Sequence, residues 1–183
     1  MPVAGRRGLF ADWRRPGLWG LLLACACTAS LAAELQGQVV RVADGDTLTV
    51  QDAQRQLHTI RLAGIDAPEK NQTHGPQAQS HLAQAALNQA VTVDYSKRDK
   101  YGRIVGKVWV QGVDLNLAQL QAGWAWHYRQ YQGEQSAEDR ALYSESEHLA
   151  RAAQKGLWQG HTPPEPPWVY RARLKTERRS AGP

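Results

Sequence analysis

The sequence reads Arg61-Leu-Ala-Gly-Ile-Asp66-Ala-Pro-Glu69 at the end of a predicted β-strand. This stretch delivers one arginine and two carboxylates to the edge of a strand, where a proline turn follows. A second acidic pair, Asp44 and Asp46, lies upstream, and a second arginine, Arg103, lies downstream. Carboxylates beside guanidinium groups suit a metal-assisted attack on a phosphodiester, because acids hold a hard cation and orient water while arginines hold the anion.

Residues 1–33 have the composition of a secretory signal peptide rather than of a folded segment. Four arginines precede an apolar run over 17–26, and small residues that suit cleavage near Ala32 or Ala33 follow. The apolar run is too short for a membrane-spanning helix. We therefore expect export to the periplasm or the medium. An uncleaved amphipathic anchor, or a lipoprotein leader acylated at Cys25, stays open as an alternative.

Removal of the leader leaves 18 basic and 16 acidic residues, a net charge of +2, and no cysteine. Disulfides and a thiol nucleophile are therefore excluded for the exported chain. Residues 34–158 carry a net charge of −1, whereas the tail from residue 159 carries +3. Bulk charge of the folded part does not indicate a nucleic-acid partner, so local placement of charge has to do so.

Hydrophobic periodicity predicts a mainly β fold of the α+β class, built from five strands and about three helices. Three strands with short turns precede a helix that starts at Gly75-Pro76, and two strands and two helices follow. This order is typical of a five-stranded Greek-key barrel with attached helices. The predicted strands span 36–43, 47–50, 57–65, 91–95 and 104–110, and the helices begin near residues 76, 116 and 138.

The chain after residue 160 is predicted to lie outside the domain, which we place at residues 34–160. Residues 163–167 read Pro-Pro-Glu-Pro-Pro, which is typical of an extended linker. The basic stretch beyond it has little apolar content, so residues 161–183 are predicted to form a linker and a disordered basic tail.

Each acidic motif has an ordinary structural explanation beside the functional one. Asp44-Gly45-Asp46 is typical of a hairpin turn, and Asp66 and Glu69 could be solvated acids after a strand. Pro68 restricts Ala67 to an extended conformation, which can present the Ala67 carbonyl beside the Asp66 carboxylate. Carboxylates, one carbonyl and several waters form an incomplete shell for a hard cation, with room for a phosphate oxygen.

Five motifs in one order resemble the staphylococcal nuclease family, over nearly the whole domain from about residue 37 to residue 158. The resemblance implies an OB-fold barrel, Ca²⁺ as the cofactor, and hydrolysis of DNA and RNA phosphodiesters. The motifs are Asp44-Gly-Asp46-Thr47, Arg61-Leu-Ala-Gly-Ile-Asp66-Ala-Pro-Glu69, Asp99-Lys-Tyr-Gly-Arg103, Asn116-Leu-Ala-Gln-Leu-Gln-Ala-Gly123 and Gly156-Leu-Trp158.

The resemblance also implies the metal ligands. Asp46 is a direct Ca²⁺ ligand, and Asp44 is a supporting acid behind it. Asp66 and the carbonyl oxygen of Ala67 complete the protein ligands. The reference member of the family has threonine where this chain has Ala67; a carbonyl ligand survives that difference, whereas a hydroxyl contact does not.

Three residues are predicted to carry the catalysis. Glu69 positions or deprotonates the attacking water. Arg61 and Arg103 hold the phosphate, because guanidinium forks match its oxygens, and they stabilise the extra negative charge of the transition state.

Substrate contacts beyond the phosphate are predicted in the neighbouring turn. Lys100 and Tyr101 can contact a terminal phosphate and a base face. Tyr128, or alternatively Tyr131, supplies the opposite stacking wall. The connection after Glu69 is shorter than in the reference member.

Three functions fit the residues. The leading one is an exported, monomeric Ca²⁺-dependent nuclease, a hydrolase that acts on DNA and/or RNA with little sequence specificity and without an obligate protein partner. The alternatives are a non-catalytic OB-fold nucleic-acid-binding module and a calcium-stabilised scaffold. The joint presence of acids and arginines disfavours both, and the deciding residues are Asp46, Arg61, Asp66, Glu69 and Arg103.

Overall fold

The computed structural model describes residue 1, residues 33–160, residue 162 and residues 164–182. Apart from its two end residues, the predicted leader lies outside the described residues, and β1 begins where that leader ends. The strands are β1 (Ala33–Val42), β2 (Thr47–Gln51), β3 (Leu57–Leu62), β4 (Ile65–Asp66), β5 (Ala90–Arg98), β6 (Ile104–Val110), β7 (Val113–Asp114) and β8 (Trp126–His127).

Five strands close into a barrel. They follow the order β3-β2-β1-β5-β6, and β6 returns to pair with β3 in parallel, with Ile60 opposite Ile104 and Leu62 opposite Gly106. All the other pairings in this circuit are antiparallel. Closure removes the exposed sheet edges and confirms the predicted five-stranded OB-fold barrel.

Alternating apolar residues of these strands fill the barrel. Each of them removes its side chain from water, which stabilises the fold by about 1.5–3 kcal/mol per side chain. The innermost residues, all at most 1% exposed, include Val39, Leu48, Val50, Ile60, Leu62, Val93, Ile104 and Val108.

In the part of the chain that the structure describes, four α-helices accompany the barrel: α1 (Gly75–Ala86), α2 (Leu115–Gln121), α3 (Ala137–Ala152) and α4 (Pro167–Ser180). The first three correspond to the predicted helices. Two short 3₁₀ segments, Arg129–Glu134 and Gly156–Trp158, flank α3. In the described part of the chain, none of the helices combines the length and apolar character that a membrane crossing requires.

The start of α2 differs from the sequence-based prediction, in which Asn116 caps the helix. Asp114 is the cap, and its side chain accepts a hydrogen bond from the Leu117 amide. Asn116 is fully buried, and its amide group donates to the carbonyls of Ala63 and Gly106. It therefore ties α2 to the barrel beside the turn that follows β3, because these buried carbonyls need a donor.

The basic tail was predicted to be disordered, whereas the structure contains helix α4 at this place. Trp168 packs edge-on against Trp126, with ring centroids 6.2 Å apart, and stacks on Tyr128 at 5.7 Å. The linker is also anchored, because the Gln72 side chain donates a hydrogen bond to the Glu165 carbonyl. A few aromatic contacts therefore hold the tail against the rest of the protein, although its average apolar content is low.

Candidate active site

The turn between β3 and β4 brings the two ends of the decisive stretch together. Gly64 has a φ of 74°, a left-handed conformation that glycine adopts without strain. The chain thus reverses just after Arg61, and β4 pairs with β8, so that Asp66 lies opposite Trp126. Arg61 and Asp66, which belong to different strands, can therefore contact each other.

The β1–β2 turn packs against the same place. The Leu62 amide donates to the Asp46 carbonyl at 2.8 Å, and the Ala67 amide donates to the Asp46 carboxylate at 2.6 Å. A Cβ atom on Gly45 would lie 2.7 Å from the Cβ atoms of both Ala67 and Ala78, so glycine allows this close approach. The turn predicted from Asp44 to Asp46 is thus also a wall of the site.

Arg61 joins the two buried acids. Its Nη1 lies 3.1 Å from Asp46 Oδ2, and its Nη2 donates to Asp66 Oδ1 at 2.8 Å. Asp46 is 5% exposed and Asp66 is 0% exposed, so both carboxylates need such a partner. The structure brings together three predicted site residues that are distant in sequence or separated by a turn.

Burial shapes the protonation of the acids around Arg61. Burial and, to a smaller extent, the charge of the neighbouring Asp46 raise the pKa of Asp44 to about 7, although the Asp46 amide, which donates to Asp44, opposes the rise. Burial also raises the pKa of Asp66, against the hydrogen bond from Arg171 and the charge of Arg61. A cation bound beside these carboxylates would favour their charged forms against the effect of burial.

Arg171 of α4 is the functional candidate that sequence reasoning missed. Its Nη2 donates to Asp66 Oδ2 at 2.8 Å, and its Nη1 donates to Glu69 Oε1 at 2.8 Å. The sequence does contain a signal for α4: Pro167 is followed by thirteen residues without glycine or proline, which include an i,i+4 pair of Arg173 and Glu177. Nothing in the sequence indicates that this helix reaches the acids.

Arg103 lines the same cavity. Its backbone amide and its Nε both donate to the Asp99 carboxylate, the latter at 2.7 Å. Tyr101 is 72% exposed, and the charged groups of Lys100 and Arg103 lie 5.1 and 5.5 Å from its ring centre. The turn thus presents a ring and two cations to the opening of the cavity.

Tyr128 lies where the stacking wall was predicted, but it already has aromatic partners. It stacks on Trp168 with an interplanar angle of 22°, and it meets Tyr131 edge-on at 5.3 Å. Both tyrosines line the same cavity as the acids. An incoming base would therefore have to use the remaining ring surfaces.

One cavity of about 630 Å³, here called the main cavity, collects all ten predicted site residues together with Arg171. These residues combine carboxylates with guanidinium groups, and Arg61 contacts both buried acids directly. The residues are Asp44, Asp46, Arg61, Asp66, Ala67, Glu69, Lys100, Tyr101, Arg103 and Tyr128.

The donor atoms of the main cavity fit a hard cation in part. Asp46 and Asp66 supply buried carboxylate oxygens, and Arg61 already neutralises one negative charge between them. Across residues 33–160, 162 and 164–182, no three His, Cys, Asp or Glu side chains are grouped so that they could hold a metal by themselves. A cation here would need further oxygens from the backbone, water or a phosphate, and Arg171 would have to leave Asp66 Oδ2 free.

Comparison with known proteins agrees with this arrangement. The family model described as "Staphylococcal nuclease homologue" matches residues 59–160. The chain is 39% identical over 144 residues to an Escherichia coli protein named "Uncharacterized endonuclease", covering 78% of this chain and 89% of that protein. It is 40% identical over 170 residues to the Escherichia coli "Protein ParB", covering 87% and 92% of the two chains.

A third relative carries the name of a nuclease activity. "Micrococcal nuclease" of Shigella flexneri is 38% identical over 152 residues, which cover 78% of this chain and 84% of that protein. The family model includes most residues that line the main cavity, among them Arg61, Asp66 and Arg103, and the names of these relatives support a hydrolase that cleaves nucleic acid. The chain belongs to the staphylococcal nuclease family and is a nuclease.

Proposed function

We propose that this nuclease is an exported, Ca²⁺-dependent enzyme that hydrolyses phosphodiester bonds of DNA and/or RNA with little sequence specificity. The observation that carries the proposal is the position of Arg61 between the buried carboxylates of Asp46 and Asp66, in one cavity with Glu69 and Arg103. A purely structural ion pair would not require a second arginine and an exposed acid at the same opening.

The arginines support binding of the scissile phosphate. Arg61 lines the main cavity from β3, and Arg103 lines it from the position just before β6. In this proposal the two guanidinium groups hold the phosphate from two sides and stabilise the charge that develops in the transition state. Loss of one such donor typically lowers the rate on the order of 10²–10³-fold.

Glu69 is proposed to position or deprotonate the attacking water. It lies at the same opening as the arginines, and its carboxylate contacts solvent. Arg171 holds Oε1 of this carboxylate in the structure, so the carboxylate has to exchange this partner for water during the reaction. Proton transfer by a positioned carboxylate typically contributes on the order of 10²–10⁴-fold in rate.

Asp46, Asp66 and the carbonyl of Ala67 are the residues that would hold Ca²⁺. The cation would polarise the phosphate oxygens and lower the pKa of a bound water. Asp44 would support Asp46 from behind, through the hydrogen bond that it accepts from the Asp46 amide. Oxygen donors of this kind favour Ca²⁺ or Mg²⁺ over softer metals.

Low sequence specificity follows from the character of the cavity. Charged groups such as Arg61, Lys100 and Arg103 match the phosphate backbone, which carries no sequence information. The rings of Tyr101 and Tyr128 would stack on any base. We therefore propose that Lys100, Tyr101 and Tyr128 hold the nucleotides beside the scissile bond, in a monomeric enzyme.

The deciding experiment uses the purified chain without its leader, residues 34–183, with single-stranded DNA, duplex DNA and RNA. Cleavage in Ca²⁺, and none after addition of a chelator, is the expected result. Nucleic acid that is bound but not cleaved with any divalent cation would favour the non-catalytic binding module instead. Cleavage that persists in chelator would reject the role of the metal.

Export is proposed from residues 1–33 and is tested separately. The protein recovered from the periplasm or medium should begin near residue 33 or 34 when its N-terminal peptide is identified by mass spectrometry. A protein found in the membrane fraction, with Met1 retained or with an acylated Cys25, would show that it is anchored to the membrane and not exported in soluble form.

A further inference from the structure

A second cavity, of about 580 Å³, lies between α4 and the segment that follows Glu69. We call it the basic groove. It shares Glu69 and Arg171 with the main cavity, so the two are neighbours. Basic side chains dominate its lining, and Glu69 is the one carboxylate among its lining residues. The cations are Lys70, Arg171, Lys175, Arg178 and Arg179.

Four of the five basic side chains of α4 line the groove and lie on one face of the helix. Arg171, Lys175 and Arg179 follow one another at intervals of four residues, and Arg178 lies beside them. Like charges at this spacing repel each other, so these side chains lower the stability of α4. An anion bound in the groove would remove the repulsion.

Other charges of α4 are neutralised within the chain. Arg173 forms ion pairs with Glu165 at 3.1 Å and with Glu177 at 2.9 Å. In contrast, the described residues provide no carboxylate within 4.0 Å of Lys70, Lys175, Arg178 or Arg179. Among the described residues, Arg171 and Arg173 thus have carboxylate partners, whereas the other cations of the basic groove are left to solvent or to an external anion.

Arg178 and Arg179 also lie in the last turn of α4, where cations interact favourably with the helix dipole. This ordinary role does not account for Lys70, which belongs to a different segment and lines the groove from the other side. Convergence of cations from two segments is typical of a site for a polyanion.

The groove has a defined orientation because α4 is docked. Trp168 packs on Trp126 and Tyr128 at the start of the helix, and the Tyr170 hydroxyl donates to the Asn71 carbonyl at 3.3 Å. Arg171 adds its ion pairs with the acids of the main cavity. A strand that leaves the main cavity would meet the basic face directly.

We propose that the basic groove is a phosphodiester-binding subsite, which holds the nucleic-acid strand on one side of the scissile bond. Arg171 and Arg179 are eight residues apart, which corresponds to about 12 Å along a helix. One strand of a duplex carries three or four phosphates over about this length. The subsite rests on the proposed function, and α4 lies beyond residues 59–160, which the family model matches.

The first test measures the salt dependence of binding. The full exported chain binds a labelled 20-nucleotide single strand in chelator, and the dissociation constant is determined between about 50 and 200 mM KCl. Removal of one phosphate contact should reduce the slope of log K against log salt by about 0.7. The Lys175→Gln/Arg178→Gln/Arg179→Gln variant removes three cations, so its slope should be smaller by about 2. Glutamine keeps the helix propensity high.

The second test compares long and short substrates with Ca²⁺ present. A chain of 20 nucleotides reaches the groove, whereas a dinucleotide fills the main cavity alone. The ratio of kcat/KM for the long substrate to that for the short one should fall several-fold in the triple variant. An unchanged ratio together with an unchanged salt slope would overturn the subsite.

Two controls distinguish the effect of the removed charges on binding from an effect on the stability of the fold. Arg55→Gln removes an exposed arginine from the β2–β3 turn, at the end of β3 opposite to Arg61, and should leave the slope unchanged. Arg178→Lys/Arg179→Lys keeps the charge and should keep most of the slope. A lower melting temperature of the triple variant with an unchanged slope would assign these three cations to helix stability and overturn the proposal. A wild-type chain that neither binds nor cleaves nucleic acid would reject the proposed function itself.

Discussion

Arg171 donates two hydrogen bonds to the carboxylate of Asp66, at 2.8 and 3.2 Å, although 105 positions separate the two residues. The same carboxylate accepts a third hydrogen bond, from Arg61. Both oxygens of the predicted metal ligand are thus engaged by guanidinium groups. A cation that binds Asp66 has to compete with Arg171, because two positive groups cannot share one oxygen at close range without repulsion.

Removal of Arg171 should therefore tighten the binding of Ca²⁺. Because Arg171 is 41% exposed, we expect only a two- to tenfold decrease in the dissociation constant of Arg171→Gln, equivalent to about 1 kcal/mol. Titration calorimetry on the full exported chain measures it. Arg173→Gln, which removes an arginine of α4 that pairs with Glu165 and Glu177 instead, is the matched control. Equal affinities of the wild type and Arg171→Gln would contradict competition.

Substitution of the two predicted phosphate-binding arginines should have unequal effects on stability. Arg61→Gln leaves Asp46 and Asp66 buried without their shared partner, which costs about 3–5 kcal/mol. Arg103→Gln breaks a more exposed pair with Asp99, which costs about 1 kcal/mol or less.

Urea denaturation measures the stability difference, and single-turnover cleavage measures the rate. We expect the rate to fall on the order of 10²–10³-fold in both arginine variants. Folded Arg61→Gln and Arg103→Gln proteins with wild-type rates would remove these arginines from the mechanism.

Glu69→Gln should separate turnover from binding. Glutamine keeps the shape of the side chain but cannot accept a proton, so the rate should fall about 10²–10⁴-fold. Affinity for a nucleotide and for Ca²⁺ should change little, because Glu69 is not one of the predicted metal ligands. Rates are measured by substrate cleavage and affinities by calorimetry, with Glu165→Gln, at a half-buried position that does not line the main cavity, as a control. Wild-type turnover in Glu69→Gln would exclude Glu69 as the group that acts on water.

Stability in the absence of metal should depend on the protonation of Asp44. Burial and the Asp46 charge raise the pKa of Asp44 to about 7, so the folded state binds this proton more tightly than the unfolded state. Its contribution therefore disfavours folding progressively as the pH rises from about 4 to about 7, and is constant above that.

Asp44→Asn removes the titrating group and keeps the acceptor oxygen. The variant should be more stable than the wild type at pH 8 by a few kcal/mol and nearly equal to it at pH 4. Urea denaturation in chelator at the two pH values tests the difference. A constant difference between the two proteins at both pH values would contradict the raised pKa.

Local patterns in the sequence were sufficient for the barrel. Strand alternation depends on neighbouring residues alone, and the closed five-stranded sheet confirms it. Asn116 shows the limit of local patterns. Its position suits a helix cap, but the buried carbonyls of Ala63 and Gly106 require its amide, and Asp114 takes the cap instead.

The sequence by itself determined where the barrel strands lie along the chain, the turn at Asp44–Asp46 and the chemistry of the stretch from Arg61 to Glu69, because each depends on residues close in the chain. Only the tertiary structure decided that Arg61 bridges Asp46 and Asp66, and that Arg171 reaches the same acids. Those contacts depend on barrel closure and on the docking of α4 through Trp168. A buried charge pairs with the opposite charge that the tertiary fold places beside it, and the spacing of residues along the chain does not specify that partner.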